Sequence, residues 1–250
     1  MSYNPYCVYP DPYYVYPNPY YVFPHPYYGY TGSYHEYPQL VPILPVPISS
    51  NNLLHSGPNE YEIISERFLN GWLHPDKPTP TIKQIFLVAH STREGHTYAR
   101  NFNDYYNRVG NMQMLFHGTR CECRIGRGSL KACDSETCNL CEIIKGSYSM
   151  EKAKGQQMFG RGIYTTEVSS KADVYVDNVD DSQDSIMILN QVALGRSKIM
   201  YEACHNMQAA PPTYDSVTAA TYAHGGEVRY HEAVVYREDA ICPHAIVVYS

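Results

Sequence analysis

From Asn59 to Trp72 the aromatic and aliphatic positions Tyr61, Ile64, Phe68 and Trp72 recur every three or four residues, with polar residues between them. Such spacing lays one apolar stripe along a helix, so the segment is expected to dock Phe68 and Trp72 on a core and to stop before His74-Pro75. Thr81 to Val88 is rich in β-branched residues and predicts a strand, and Thr92 to Arg108 predicts a second, more polar helix carrying Tyr98, Phe102 and Tyr105. Met112 to Phe116 reads as an apolar strand that ends at His117-Gly118, and Ser185 to Gly195 as a longer one that ends in glycine. Between these, Gly160 and Gly162 allow a sharp turn before Tyr164 enters an extended segment. Ser169 then offers a helix N-cap, which would put Lys171, Ala172 and Tyr175 on the first two turns. Near the end, Val228 to Tyr236 alternates Tyr230, Glu232, Val234 and Tyr236 with His231, Ala233 and Val235, which predicts a strand buried on both faces.

A carboxylate in such a strand changes the picture. Burying an ionised group without a partner costs several kcal/mol, so Glu232 is either one half of a structural salt bridge, with Arg229 or Lys171, or a residue the protein uses. A histidine at the end of an apolar strand, such as His117, reads by itself as a hydrogen-bonded structural residue.

Composition divides the chain. Half of the 26 tyrosines and most of the 18 prolines lie before Asn51. They form a seven-residue tandem repeat that starts at Asn4-Pro5-Tyr6-Cys7-Val8-Tyr9-Pro10 and ends in a Pro-rich linker, Gln39 to Ser50. Proline twice per repeat excludes a coiled coil and leaves polyproline II and turns. Residues 1–50 are therefore read as a disordered tail, either without a defined partner or serving self-association or protein binding, and 51–250 as one folded domain with a Cys-rich insertion at about 121–145. The formal net charge of −6, with no lysine or arginine run, gives no footprint for nucleic acid. No apolar run is long enough to cross a bilayer and no signal peptide is apparent, so the expected location is intracellular, cytoplasm or nucleus. In a reducing compartment clustered cysteines favour metal over disulfides. Cys138-Asn139-Leu140-Cys141 has a spacing that lets two thiolates bind one tetrahedral zinc, and Cys133 with Cys123 or Cys121 completes a set; Cys123, Cys133, Cys138 and Cys141 are the expected ligands, against reduced thiols in a variable loop.

Three motifs in order, His117-Gly118-Thr119-Arg120, then Phe159-Gly160-Arg161-Gly162-Ile163-Tyr164 with Ser169-Ser170-Lys171, then Tyr230-His231-Glu232, resemble the catalytic domain of the poly(ADP-ribose) polymerases over roughly Pro58 to Tyr249. Within that family the motifs resemble those of the tankyrases, although the tankyrase cysteines follow the glycine turn rather than precede it. The resemblance implies an α+β fold of two packed, mostly antiparallel sheets with flanking helices and an NAD cleft. It implies transfer of ADP-ribose from NAD, a pentosyl transfer to a protein or other acceptor. His117 would bind a ribose hydroxyl, Gly118 the nicotinamide carboxamide through its backbone, and Tyr164 and Tyr175 the two faces of the nicotinamide ring. Thr119, Gly162 and Lys171 fall in the same binding motifs. Glu232 would be the catalytic carboxylate. Where the family usually has Ser-Lys-Ser, this chain has Ser170-Lys171-Ala172, so a hydroxyl that contacts the carboxamide is missing. A binding module without turnover, or an interaction scaffold centred on the tail, are the readings from other classes.

Overall fold

The computed structural model describes residues 52–90, 92–155, 157–178 and 184–250; the Tyr/Pro repeat and its linker lie outside them. In chain order the elements are β1 (Leu53–His55), α1 (Pro58–Asn70), β2 (Ile82–Val88), α2 (Arg93–Val109), β3 (Met112–His117), β4 (Arg120–Cys121), α3 (Asn139–Gly146), β5 (Ile163–Thr165), α4 (Ser169–Ala172), β6 (Asp177–Asn178), β7 (Ser185–Ala193), β8 (Ser197–Met200), β9 (Ser216–Ala219), β10 (Ala233–Val235) and β11 (Ile241–Tyr249). They build an α+β fold with a five-stranded antiparallel sheet, β1-β2-β11-β7-β3, and a four-stranded sheet, β5-β10-β9-β8, in which only β8 and β9 run parallel.

The apolar runs of β7 and β11 are continuous because the large sheet is covered on both faces. Successive side chains alternate between two cores. Ile186 and Ile188 of β7, Ile246 and Val248 of β11 and Phe86 and Val88 of β2 pack with Ala99, Phe102 and Tyr105 of α2 and with Leu140 and Ile144 of α3. Met187, Leu189, Val247 and Tyr249 pack on the other side with Ile64 and Phe68 of α1. Each such side chain removed from water contributes ~1.5–3 kcal/mol, which stabilises helices too short to persist alone.

Several boundaries differ from the sequence expectation. The first strand, β1, pairs Leu53 with Val88 and precedes Pro58, so the fold begins earlier than the aromatic stripe suggests. Trp72 lies beyond the end of α1, where it packs against Phe68 and Tyr249. Thr92 caps α2, its side chain accepting from the Gly95 N–H at 2.9 Å. The two sheets meet where Phe116 and Thr166 exchange backbone hydrogen bonds of 2.7 and 3.1 Å, which brings the end of β3 against the end of β5.

Candidate active site

That junction builds the site. His117 ends β3, and its Nδ1 lies 2.9 Å from the carbonyl oxygen of Tyr164 on β5. A carbonyl only accepts, so Nδ1 carries the proton and Nε2 keeps its lone pair. Burial lowers the pKa of His117, opposed by that hydrogen bond, and the ring is neutral near pH 7.

The glycine turn before β5 is shaped by close approach. Gly160 has φ +70, and a Cβ there would lie 2.0 Å from the Met207 carbonyl oxygen. The Tyr164 hydroxyl pins the turn, accepting from the Phe159 N–H and donating to the Gly160 carbonyl, both at 2.9 Å. Tyr236 adds a third bond, from its hydroxyl to the Phe159 carbonyl at 2.7 Å. Arg161 holds the segment before the turn through the carbonyls of Glu151 and Ala153, at 2.9 and 3.2 Å.

The expected N-cap at Ser169 is replaced by Val168: Ser169 lies inside α4 and its hydroxyl donates to the Phe68 carbonyl at 2.6 Å, a bond that docks α4 on the end of α1. α4 is a single turn, followed by a 3-10 turn over Asp173–Tyr175 that leaves Tyr175 largely exposed. The continuous strand expected through Glu232 is also absent. β10 begins at Ala233, and the two residues before it are held by other bonds: the Thr166 hydroxyl donates to the His231 carbonyl at 2.6 Å, and the Ala219 N–H to the Glu232 carbonyl at 2.9 Å.

Glu232 therefore stands at a strand start, where its carboxylate meets Lys171. The Lys171 ammonium donates to Glu232 Oε1 and to the Tyr230 carbonyl, both at 2.8 Å, and the two side chains are only 15% and 12% exposed. Burial lowers the pKa of Lys171 and the Glu232 carboxylate opposes the shift. Arg229, the other partner considered for Glu232, lies over the Tyr230 ring at 5.1 Å. Tyr164 and Tyr175 have phenol pKa values raised by burial and, in second place for Tyr175, by the Glu232 charge.

One cavity of about 750 Å³ is lined by His117, Gly118, Thr119, Gly162, Tyr164, Lys171, Tyr175 and Glu232, so the residues singled out in three separate motifs share a single cleft. Its size suits a dinucleotide-scale ligand. Gly118 is glycine for an additional reason: a Cβ there would lie 1.9 Å from the Ala172 carbonyl oxygen, so the absent side chain makes room for α4 as well as for anything bound. Ala172 faces both ways, lining the cavity and packing in the core beside α1. Sequence reasoning missed the α3 wall of the cleft, Asn139, Glu142 and Ile143, and the pins supplied by Tyr236, Thr166 and Arg161. The Cys-x-x-Cys pair at the start of α3 was a signal for metal, and the helix behind it carried none for a ligand.

Residues 133–249 match the family model described as the poly(ADP-ribose) polymerase catalytic domain. That stretch is similar to the family's catalytic domain. The matched stretch begins at Cys133 and includes the glycine turn, α4 and Glu232, while His117 to Arg120 lie upstream of it. The domain that the family model describes uses NAD as substrate, and the cleft of this chain carries both tyrosines and the buried carboxylate.

The cysteine insertion sits beside the cleft. The sulfur atoms of Cys123, Cys133, Cys138 and Cys141 all lie within 4.8 Å of one another, with Cys123 and Cys141 3.4 Å apart. That is too long for a disulfide of ~2.05 Å. It suits a metal: four thiolates ~2.3 Å from a tetrahedral zinc stand ~3.8 Å apart. The Cys133 N–H donates to Cys141 Sγ at 3.4 Å, and the Glu122 N–H to Cys138 Sγ at 3.3 Å. The Arg127 guanidinium donates to the Cys123 carbonyl at 2.6 Å. Cys121 stands outside the cluster: burial pushes its thiol up to about 12, and its S–H donates to the Cys123 carbonyl at 3.3 Å. The group can hold a metal ion.

Proposed function

We propose that this chain transfers ADP-ribose from NAD to an acceptor with release of nicotinamide, and that Glu232 is its catalytic carboxylate. The observation that carries this reading is the Glu232–Lys171 pair on the wall of the cleft: a nearly buried carboxylate, oriented by an ammonium, beside two tyrosine rings and a neutral histidine. His117, through its free Nε2, accepts a ribose hydroxyl. Tyr164 and Tyr175 take the two faces of the nicotinamide ring, Gly118 bonds its carboxamide, and Thr119 and Gly162 border the same pocket. Glu232 accepts a hydrogen bond from the 2'-hydroxyl of the nicotinamide ribose. As the glycosidic bond breaks, its electron pair leaves with nicotinamide, and positive charge develops on the ribose beside the carboxylate, which stabilises it where it forms. A nucleophilic atom of the acceptor then bonds to the ribose carbon and passes its proton to solvent. Lys171 holds the carboxylate in that position.

Glu232→Gln keeps the shape and removes the charge. Turnover of labelled NAD should fall ~100-fold or more while NAD affinity is nearly unchanged, because the carboxylate acts mainly in the transition state; the variant should fold but lose stability, since Lys171 loses its carboxylate partner. A wild type that binds NAD yet consumes none above the variant, with any acceptor offered, makes the domain a binding module instead. Resolving the products by size separates single from polymeric addition.

The cysteine cluster is assigned a structural zinc held by Cys123, Cys133, Cys138 and Cys141. Four cysteine ligands leave no open position for chemistry, so this metal takes no part in the transfer. Elemental analysis of desalted, reduced and folded protein should find one zinc per chain; none overturns the assignment.

A further inference from the structure

The four-sulfur cluster lies outside the cleft, yet both segments it joins are walls of it. Cys123 follows β4, and the residues just ahead of it, Thr119 and Arg120, line the cavity. Cys138 and Cys141 stand at the start of α3, which presents Asn139, Glu142 and Ile143 to the same cavity. α3 has only 8 residues and no side-chain cap hydrogen bond at its N-terminus. A helix so short does not hold itself. Its last turn is secured by the buried Ile143 and Ile144 and by the Tyr98 hydroxyl, which donates to the Ile144 carbonyl at 3.2 Å. Its first turn buries Leu140 in the core and is joined to the strand-side segment through sulfur: Cys141 to Cys123, and Cys138 to the Glu122 N–H. Glu232, Lys171 and Tyr164 are held by a different set of bonds, to the Tyr230 carbonyl and the Gly160 turn.

We propose that the metal-loaded cluster is a latch that positions the dinucleotide: by tying α3 to the Thr119–Cys123 segment it fixes the wall that holds the parts of NAD beyond the nicotinamide. Affinity for NAD then depends on the metal, and affinity for nicotinamide alone does not. The proposal rests on the transferase and zinc readings above. Cys123, Cys133, Cys138 and Cys141 act here as positioning residues that touch no substrate. An unlatched α3 is free to sample other placements, and each must be abandoned on binding, which costs affinity.

The test uses the full chain in four forms: as purified, stripped by a chelator under reducing conditions and then reloaded with zinc, Cys133→Ser, and Cys133→His, which restores a metal-binding nitrogen. Zinc content, thermal unfolding and the dissociation constants of NAD and of nicotinamide are measured on each. Stripping and Cys133→Ser should weaken NAD by about tenfold or more and nicotinamide by less than about twofold, with reloading and Cys133→His restoring NAD. Unchanged NAD affinity without metal overturns the latch, as does a joint loss of both ligands, which would make the cluster a support of the whole fold. Cys133→His protein that keeps zinc but not NAD affinity overturns it as well. Protein that never carries zinc refutes the metal assignment, and loaded protein that binds no NAD refutes the transferase reading; both remove the latch, and the zinc and wild-type NAD measurements tell them apart.

Discussion

The glycine-turn wall of the cleft and the α3 wall are held by different physics. Around Gly160 the backbone is fixed from several sides by the hydroxyls of Tyr164 and Tyr236, the Arg161 guanidinium and the Met207 carbonyl, all of them groups that satisfy one another at neutral pH without help. Around Cys138 the start of α3 meets four sulfurs, whose N–H···S and S···S contacts are weak unless a metal joins them. A wall built from mutual hydrogen bonds is self-sufficient, and a wall built from sulfurs is conditional. In this domain the groups around Glu232 are on the self-sufficient side.

Gly160→Ala breaks the self-sufficient wall most severely. The positive φ disfavours any Cβ by roughly 1–2 kcal/mol, and the Met207 carbonyl at 2.0 Å forces a further shift, so the loss should be on the order of 3 kcal/mol. Denaturant titration reads it, and nicotinamide affinity should fall with it; a change below about 1 kcal/mol would mean the turn relaxes freely.

Acid attacks the other wall. His90 is held down to about 4 by burial, with His244 and His96 adding to the shift, and its Nδ1–H donates to the Tyr98 hydroxyl that supports α3. Because the unfolded chain takes up this proton near the ordinary value of 6.5 and the fold resists it, the stability involved is present above that pH and is lost as pH falls toward 4, on the order of 3 kcal/mol. Unfolding measured across that window should show this slope in wild type and a smaller one, by about one proton, in His90→Asn. Equal slopes would show that other groups carry the acid response.

Tyr164→Phe sharpens the comparison at smaller scale. It removes one acceptor and one donor at once and leaves the Phe159 N–H and the Gly160 carbonyl without that partner, at about 1–3 kcal/mol. Zinc content should be unaffected, since the cluster belongs to the other wall.

The smallest effect concerns Ala172. Restoring a hydroxyl there in Ala172→Ser should improve nicotinamide and NAD binding by up to about tenfold, the worth of one hydrogen bond. Calorimetry on both ligands checks it, and an equal or poorer affinity would show that the core packing of Ala172 governs the position.

Much of the architecture was legible because it is local. The stripe from Tyr61 to Phe68, the β-branched run of β2, the polar helix from Thr92 and the apolar β7 announce their elements through period and propensity alone, and the ordered motifs brought His117, Tyr164 and Glu232 forward as candidates before any coordinates. What tertiary structure decided are the contacts between distant segments. Ser169 looked like a cap until the Phe68 carbonyl, 101 residues away, claimed its hydroxyl. Glu232 looked like the middle of a strand until Thr166 and Ala219 took up the backbone ahead of β10. Of the two cations open to its carboxylate, only the fold chose Lys171 over Arg229. Of the two cysteines open to complete the cluster, it gathered Cys123 and left Cys121 aside. The reason is one of range: residue type and period specify what a segment prefers, whereas the partner of a buried polar group is settled by which remote donor or acceptor the packed chain brings within ~3 Å of it.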